Sequence, residues 1–278
     1  MPHSLPAPTA DTPRAHTRPS AEPDWLFVRV HPKDAAGGLD PVVLRVVGRV
    51  LGAVDDVREG AATAGRHPDR RWFWLRYVDH AGPHLRLRVR ARPAVVDELT
   101  VAVEEAAGDD TVTLGVYEPE HTAYGGAEGV ARAERCFEHS SRLALQAVEE
   151  LPWGRERLMV AAGLLSRAVD LLPPELRAAH LRSTEAYWRQ GEPSSARGTG
   201  FDLRTADAWL DGPAAEHVSA WLEGVAAALE WPQAPTRSQW VFRHAHLMLN
   251  RLGVTPPVEA ALAAGLVAPP HRREPAST

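Results

Sequence analysis

The sequence predicts an α+β fold: a ferredoxin-like β-α-β-β-α-β half, with one sheet face covered by a C-terminal helical half. Three observations predict it. Four short runs alternate apolar and polar residues with the period of a strand. Stretches of helical spacing sit between the first and second run and between the third and fourth. From about residue 126 onward the pattern is helical throughout.

Residues 1–23 mix Pro, Ala, Thr, Ser and His without periodicity, which predicts a disordered leader. Order is expected from Asp24, with Trp25 to His31 as the first strand. After the Gly37-Gly38 turn, Asp40 is placed to cap a helix with Pro41 at its first position, continued by Val43, Leu44, Val47 and Leu51. Arg71 to Val78 and His84 to Arg90, separated by Asp79-His80-Ala81-Gly82-Pro83, read as a hairpin. Pro93 opens a second helix through Val95, Val96, Leu99 and Val103, and Thr111 to Tyr117 returns as the fourth strand. Helices are expected near 126–149, 154–171, 174–190, 213–230, 238–252 and 257–266, punctuated by Pro173, Pro213 and Gly253. An exposed loop is expected at 190–200. These assignments divide the chain into a leader at 1–23, an α+β half at 24–125, a helical half at 126–268 and a tail at 269–278.

Composition sets the bounds. With 278 residues, 44% hydrophobic and 24% charged, the chain has the material of one large or two small domains and should bury about three quarters of its unfolded surface. Its single cysteine, Cys136, excludes an intramolecular disulfide framework. No apolar stretch reaches the roughly 18 residues of a membrane helix, and the N-terminus lacks the apolar run of a signal peptide, so a cytoplasmic location is expected. A formal net charge of -5 argues against nucleic acid as a partner. Lys33 is the only lysine, which excludes a Schiff-base mechanism elsewhere in the chain. Neither a Gly-rich phosphate loop nor a dinucleotide fingerprint nor a nucleophile elbow is present. No cofactor is expected.

Alternation in the second hairpin strand puts Leu85, Leu87 and Val89 on one side and His84, Arg86, Arg88 and Arg90 on the other. The leucine side should pack on the two helices. In the first hairpin strand either Trp72, Trp74 and Arg76 or Phe73, Leu75 and Tyr77 share the arginine side. A bland reading is a solvated face with guanidinium groups stacked on tryptophan. The sharper one is a cleft between sheet and helices, where Arg86 and Arg88 grip a carboxylate or orient peptide carbonyls. Downstream, Tyr117-Glu118-Pro119-Glu120 ends the fourth strand and Tyr124-Gly125-Gly126 precedes a helix. The late helix carries Arg243, His244, His246, Asn250 and Arg251, with His246 and Asn250 four apart on one face as an orienting pair. Asp79, His80 and His84 resemble ligands only on paper, because turn residues of this kind are usually solvated. No metal is expected.

The order of these motifs resembles a known family. Trp72-Phe73-Trp74-Leu75-Arg76-Tyr77, then Pro83-His84-Leu85-Arg86-Leu87-Arg88, then Tyr117-Glu118-Pro119-Glu120 with Tyr124-Gly125-Gly126, then His246 to Gly253, look like the thiopeptide-type bacteriocin biosynthesis family. That family is similar to the small C-terminal elimination domain of lantibiotic dehydratases, and the resemblance spans roughly Trp25 to Gly253. It implies one of two chemistries on a modified precursor peptide. A stand-alone pyridine synthase joins two dehydroalanines in a formal aza-Diels-Alder cycloaddition and then expels water and the leader peptide to leave a pyridine-centred macrocycle. An elimination domain instead removes glutamate from glutamylated Ser or Thr. Elimination domains tend to carry an arginine just before the Tyr-Gly-Gly turn, where this chain has Ala123, and losing such a contact costs about 1.5–3 kcal/mol. The resemblance therefore implies a pyridine synthase first, an eliminase second, and third a noncatalytic partner that only binds the leader. It implies Tyr117, Glu120, Tyr124 and His246 as the proton-handling residues. Trp72, Trp74, His84, Arg86, Arg88, Asn250 and Arg251 are implied as the peptide-binding set. Relatives of this kind are often homodimers, although no interface is identifiable in these helices.

Overall fold

The computed structural model describes residues 24–52, 71–190, 201–231 and 235–267. The expected leader at 1–23, the expected tail at 269–278 and nearly all of the expected loop at 190–200 lie outside the described residues.

Strands β1 (Asp24–His31), β2 (Arg71–Asp79), β3 (Gly82–Ala91) and β4 (Thr111–Gly115) form one antiparallel sheet in the order β2-β3-β1-β4. Helix α1 (Asp40–Val42) passes into a π-helical stretch, Val43–Val47, and α2 (Pro93–Ala107) follows β3. The β-α-β-β-α-β order is thus as expected. The hairpin turn is tighter than the spacing suggested, because Asp79 pairs directly with Gly82 and leaves only His80 and Ala81 between the strands. The fourth strand ends at Gly115, two residues early.

The ladder register settles which side chains share a face. Leu26, Val28 and Val30 lie opposite Val89, Leu87 and Leu85, and these lie opposite Trp72, Trp74 and Arg76. The apolar members are buried against Val43, Val46 and Val47 and against Leu99 and Val103 of α2, each contributing about 1.5–3 kcal/mol. Phe73, Leu75 and Tyr77 take the other face with Arg88, Arg86 and His84. Trp72 and Trp74 are therefore not beside the arginines. An apolar face buried under two helices is where wide rings remove most area from water, so both tryptophans sit in the core at 2% and 0% exposure.

Helices α3 (His121–Tyr124), α4 (Ala127–Glu150), α5 (Arg155–Val169), α6 (Pro174–Trp188), α7 (Arg204–Leu210), α8 (Ala215–Leu229), α9 (Arg237–Arg251) and α10 (Pro256–Val267) complete the described chain. Of these, α3 and α7 were not anticipated. Both are too short to display a full apolar stripe.

The helical half meets the sheet mainly along the edge of β2. Backbone groups of an edge strand that point away from its neighbour need partners, and here helix side chains supply them. The Trp74 N–H donates to Ser141 Oγ at 3.3 Å, and the Trp74 carbonyl accepts from Arg251 Nε at 2.8 Å. The Arg76 N–H donates to Asn250 Oδ1 at 3.0 Å, and Asn250 Nδ2 returns a bond to the Arg76 carbonyl at 3.0 Å. One amide side chain thereby imitates a neighbouring strand. Cover over the arginine face is confined to its β2 side, for Thr111 and Thr113 of β4 remain exposed on it.

Asp40 adds a charged tie. It does not cap α1, whose N-cap is Leu39 with no side-chain bond. Its carboxylate instead bridges Arg76 Nη2 at 2.6 Å and Arg157 Nη1 of α5 at 2.7 Å. Arg157 is 1% exposed, so the bridge neutralises a guanidinium cut off from water.

Replacing Asn250 by Ala leaves both Arg76 backbone groups unpaired at this edge. The expected loss is about 2 kcal/mol of unfolding free energy, read as a lower urea midpoint at unchanged slope.

Candidate active site

A cavity of about 360 Å³ opens between the arginine face and the helices. Phe73, Leu75 and Arg88 form its floor, the segment Tyr117 to Glu120 with Tyr124 forms one side, and Trp188 of α6 with Phe242, Arg243 and His246 of α9 forms the other. The Tyr124-Gly125-Gly126 turn sets that side in place. Gly125 and Gly126 have φ of 74° and 101°, a region costly for residues with a Cβ, and the turn aims Tyr124 inward against Phe137 and Trp240 before α4 begins.

Arg88 is the principal charge. Its guanidinium lies over the rings of Phe27, Tyr117 and Phe73 at 4.5, 5.1 and 5.2 Å. Nε and Nη1 are buried and, among the described residues, have no hydrogen-bond partner. Burial lowers its pKa to about 10, so it remains a cation at neutral pH. Tyr117 donates its hydroxyl proton to Glu134 Oε1 at 3.1 Å, and Glu134 also faces Arg71 Nη1 at 3.2 Å. Burial, seconded by Glu134, pushes the Tyr117 phenol up, and burial raises the Glu134 carboxyl too. The Tyr124 phenol is likewise pushed up, by burial and then by Glu120. Both tyrosines are therefore protonated in this cavity.

His246 has a different partner from the one its helix spacing suggested. Its Nδ1 lies 2.7 Å from Oε2 of Glu259 on α10, a carboxylate only 1% exposed. Such a contact fixes the proton on Nδ1 and leaves Nε2 as the basic nitrogen. Asn250 is occupied with Arg76 and faces a second cavity of about 660 Å³, which also touches Asp40, Tyr77 and Trp153. His246 and Trp188 line both cavities, so the two meet there.

Of the eleven residues singled out by sequence, the structure gathers Tyr117, Glu120, Tyr124, His246 and Arg88 around the smaller cavity. It places the rest elsewhere. Trp72 and Trp74 are core residues of the opposite face. Arg86 stacks on Tyr77 at 3.3 Å and donates from Nε to His84 Nε2 at 3.1 Å, at the hairpin end of the arginine face. Arg251 is wholly buried, held by the carbonyls of Trp74 and Leu247, and burial lowers its pKa to about 9. Aromatic rings at the cavity come from Phe73, Trp188 and Phe242, not from the tryptophans of β2 placed in the peptide-binding set.

Sequence reasoning did not single out Glu134, Glu259 or Trp188. The two acids carry no local signal, since each is recognisable only by the partner that another element brings to it. Arg243 does carry one, lying three residues before His246 on the same helix face.

A family model described as lantibiotic biosynthesis dehydratase C-term matches residues 25–268. No curated protein sequence matches the chain. Solved structures that share its fold include three relatives of low sequence identity. The tRNA-dependent lantibiotic dehydratase MibB from Microbispora sp. 107891 aligns at TM-score 0.59 and 20% identity over 91% of this chain, which spans 28% of that protein's length. The pyridine synthase TbtD from thiomuracin biosynthesis aligns at TM-score 0.61 and 18% identity, covering 88% of this chain and 96% of that one. TsrL aligns at TM-score 0.56 and 16% identity over 88% and 93%.

His244 provides a pH test of the packing behind the site. Burial, followed by Arg251 and Arg243, lowers its pKa from 6.5 to about 3. Because the unfolded chain binds the extra proton between those values, stability is full above about pH 6.5 and falls as pH drops towards 3. The contribution is about 1.4 kcal/mol per pH unit. Urea titrations of His244→Phe between pH 6 and 4 should show a slope reduced by about that amount.

Proposed function

The chain belongs to the family of lantibiotic dehydratase C-terminal domains, and on that premise we propose that it is a pyridine synthase acting on a dehydrated precursor peptide. Members of this fold include enzymes of peptide modification. The observation that carries the finer reading is the buried guanidinium of Arg88, without a hydrogen-bonding partner on two of its nitrogens, in an aromatic cavity that also contains a carboxylate-oriented histidine.

Making a 2-azadiene from a dehydroalanine and its preceding amide moves one proton from the amide nitrogen to the carbonyl oxygen. His246 Nε2 is the base that accepts it, with Glu259 stabilising the resulting imidazolium. Arg88 donates to the carbonyl oxygen as it gains charge, and Tyr124, kept protonated by burial, supplies the acid. Tyr117, its proton held by Glu134, presents its oxygen as an acceptor to a substrate N–H. Two new bonds, C–C and C–C, then close the six-membered ring with the second alkene. The hydroxyl leaves as water and the leader leaves as a carboxamide, steps for which Glu120 and His246 exchange protons. Most of the acceleration is orientation of two alkenes on one chain, where effective molarities of about 10⁵ M or more are attainable. Acid-base help adds about 10²–10⁴-fold. The aromatic walls suit azole rings. Neither a cofactor nor a metal is needed for any of these steps.

Glutamate elimination is the second reading. It is favoured by one observation, that Arg88 and Arg243 line the same cavity, a pair of cations suited to a departing carboxylate. Against it stands Ala123, which packs against the core where an eliminase tends to place an arginine. A noncatalytic leader-binding role is the third.

Incubation with a dehydrated, azole-containing precursor, followed by mass spectrometry, separates the three. Loss of water with release of a leader carboxamide supports cycloaddition. Loss of glutamate from a glutamylated peptide supports elimination, and tight leader binding with no mass change supports the partner role. His246→Ala should slow turnover by about 10²–10⁴-fold while leaving peptide affinity within a few-fold. Glu259→Gln should fall between that variant and the parent, and Tyr117→Phe should also lower turnover more than binding. Equal losses in turnover and affinity would assign these groups to binding or structure.

A further inference from the structure

We propose that His31, Asp79 and His84 form a binding site for a divalent transition-metal ion, with zinc the best-suited ion, which staples β1 to the β2-β3 hairpin. The proposal is independent of the reaction assigned above.

The geometry carries it. His31 Nε2 lies 3.6 Å from one Asp79 oxygen, and His84 Nδ1 lies 3.8 Å from the other. One donor atom from each residue lies within 4.8 Å of the other two. Both carboxylate distances are too long for hydrogen bonds. They are close to the separation of about 3.4 Å between neighbouring ligands around a tetrahedral ion with bonds of about 2.1 Å. Among the described residues, His31 Nε2 is moreover buried without a hydrogen-bond partner. The two imidazoles lie with centroids 4.3 Å apart and ring planes tilted by 31°, and each brings one ring nitrogen near the same carboxylate.

The surroundings resemble those of a ligand set. Asp79 Oδ1 accepts the Ala81 N–H at 2.9 Å, which holds the carboxylate in place as outer contacts do in metal sites. Two imidazoles and one carboxylate suit zinc and its first-row neighbours over magnesium or calcium. His80, next to Asp79 in the turn, is exposed to solvent, and the second imidazole comes from His31 of β1.

Occupancy would have a consequence for Arg86. In the metal-free tautomer His84 bonds the Gly82 carbonyl through Nδ1 at 3.2 Å and accepts from Arg86 Nε through Nε2. A metal on Nδ1 moves the imidazole proton to Nε2, which then cannot accept from Arg86. Binding thus releases Arg86 from His84. The positive charge of Arg86 and Arg29 on this face opposes the ion, so the affinity should be lower than that of a closed structural zinc site.

The test uses the full chain, stripped with chelator and titrated with zinc and, for its d–d absorption, with cobalt(II) alone. One equivalent should bind, with cobalt spectra indicating nitrogen and oxygen ligands. Zinc at about a hundred times Kd should raise Tm by several degrees. His31→Gln and Asp79→Asn should each weaken binding at least tenfold, and their metal-free melts report whether they still fold. No binding by the parent chain, or equal binding by both folded variants, overturns the proposal.

Discussion

The outer edge of β2 is the constraint on which the molecule depends. A four-stranded sheet of this topology has two edges, and among the described residues one of them is closed by the side chains of Ser141, Asn250 and Arg251 in place of a further strand. Each of those side chains belongs to a long helix, so the hydrogen-bonding needs of one strand fix how α4 and α9 lie against the sheet. The Asp40 bridge to Arg76 and Arg157 reinforces the same seam with charge. Because docking occurs along an edge, the helices overhang the arginine face on one side only, and a cavity is left under the overhang.

That placement explains the electrostatics of the candidate site. Arg88 emerges from the middle of the sheet into a space walled by rings, and among the described residues it has no ion-pair partner. Glu134, a buried acid of α4, is engaged by Tyr117 and Arg71. The cavity thus combines a cation whose nitrogens are left over for a guest with two protonated phenols and a histidine held by a buried carboxylate. A guest rich in carbonyl oxygens and flat rings meets those groups best.

Much of this was legible in the chain. Strand alternation in His84 to Arg90 identified the two faces, and helical spacing downstream located six of the helices to within a few residues. Tyr117, Glu120, Tyr124, Arg88 and His246 could be grouped because the motifs that carry them follow one another in a recognisable order. The face chosen by Trp72 and Trp74 was not legible, since both sides of β2 are apolar and only the register against β3 distinguishes them. Asn250 and Arg251 look like site residues in a helix rich in His and Arg, yet their polar atoms are consumed by a strand that precedes them by some 174 positions. The pairing of Glu259 with His246 and of His31 with Asp79 was hidden for the same reason. Contacts between distant segments leave no trace in local composition.

The two side-chain-bonded amides of β2 report on more than stability. The N–H groups of Trp74 and Arg76 are tied to α4 and α9 respectively, across the seam, and to nothing within the sheet. Their protons can trade with deuterium only when the seam parts at that point. Exchange at Trp74 relative to Arg76, followed site by site, therefore clocks which of the two helices lets go of the sheet first, without any label added to the protein.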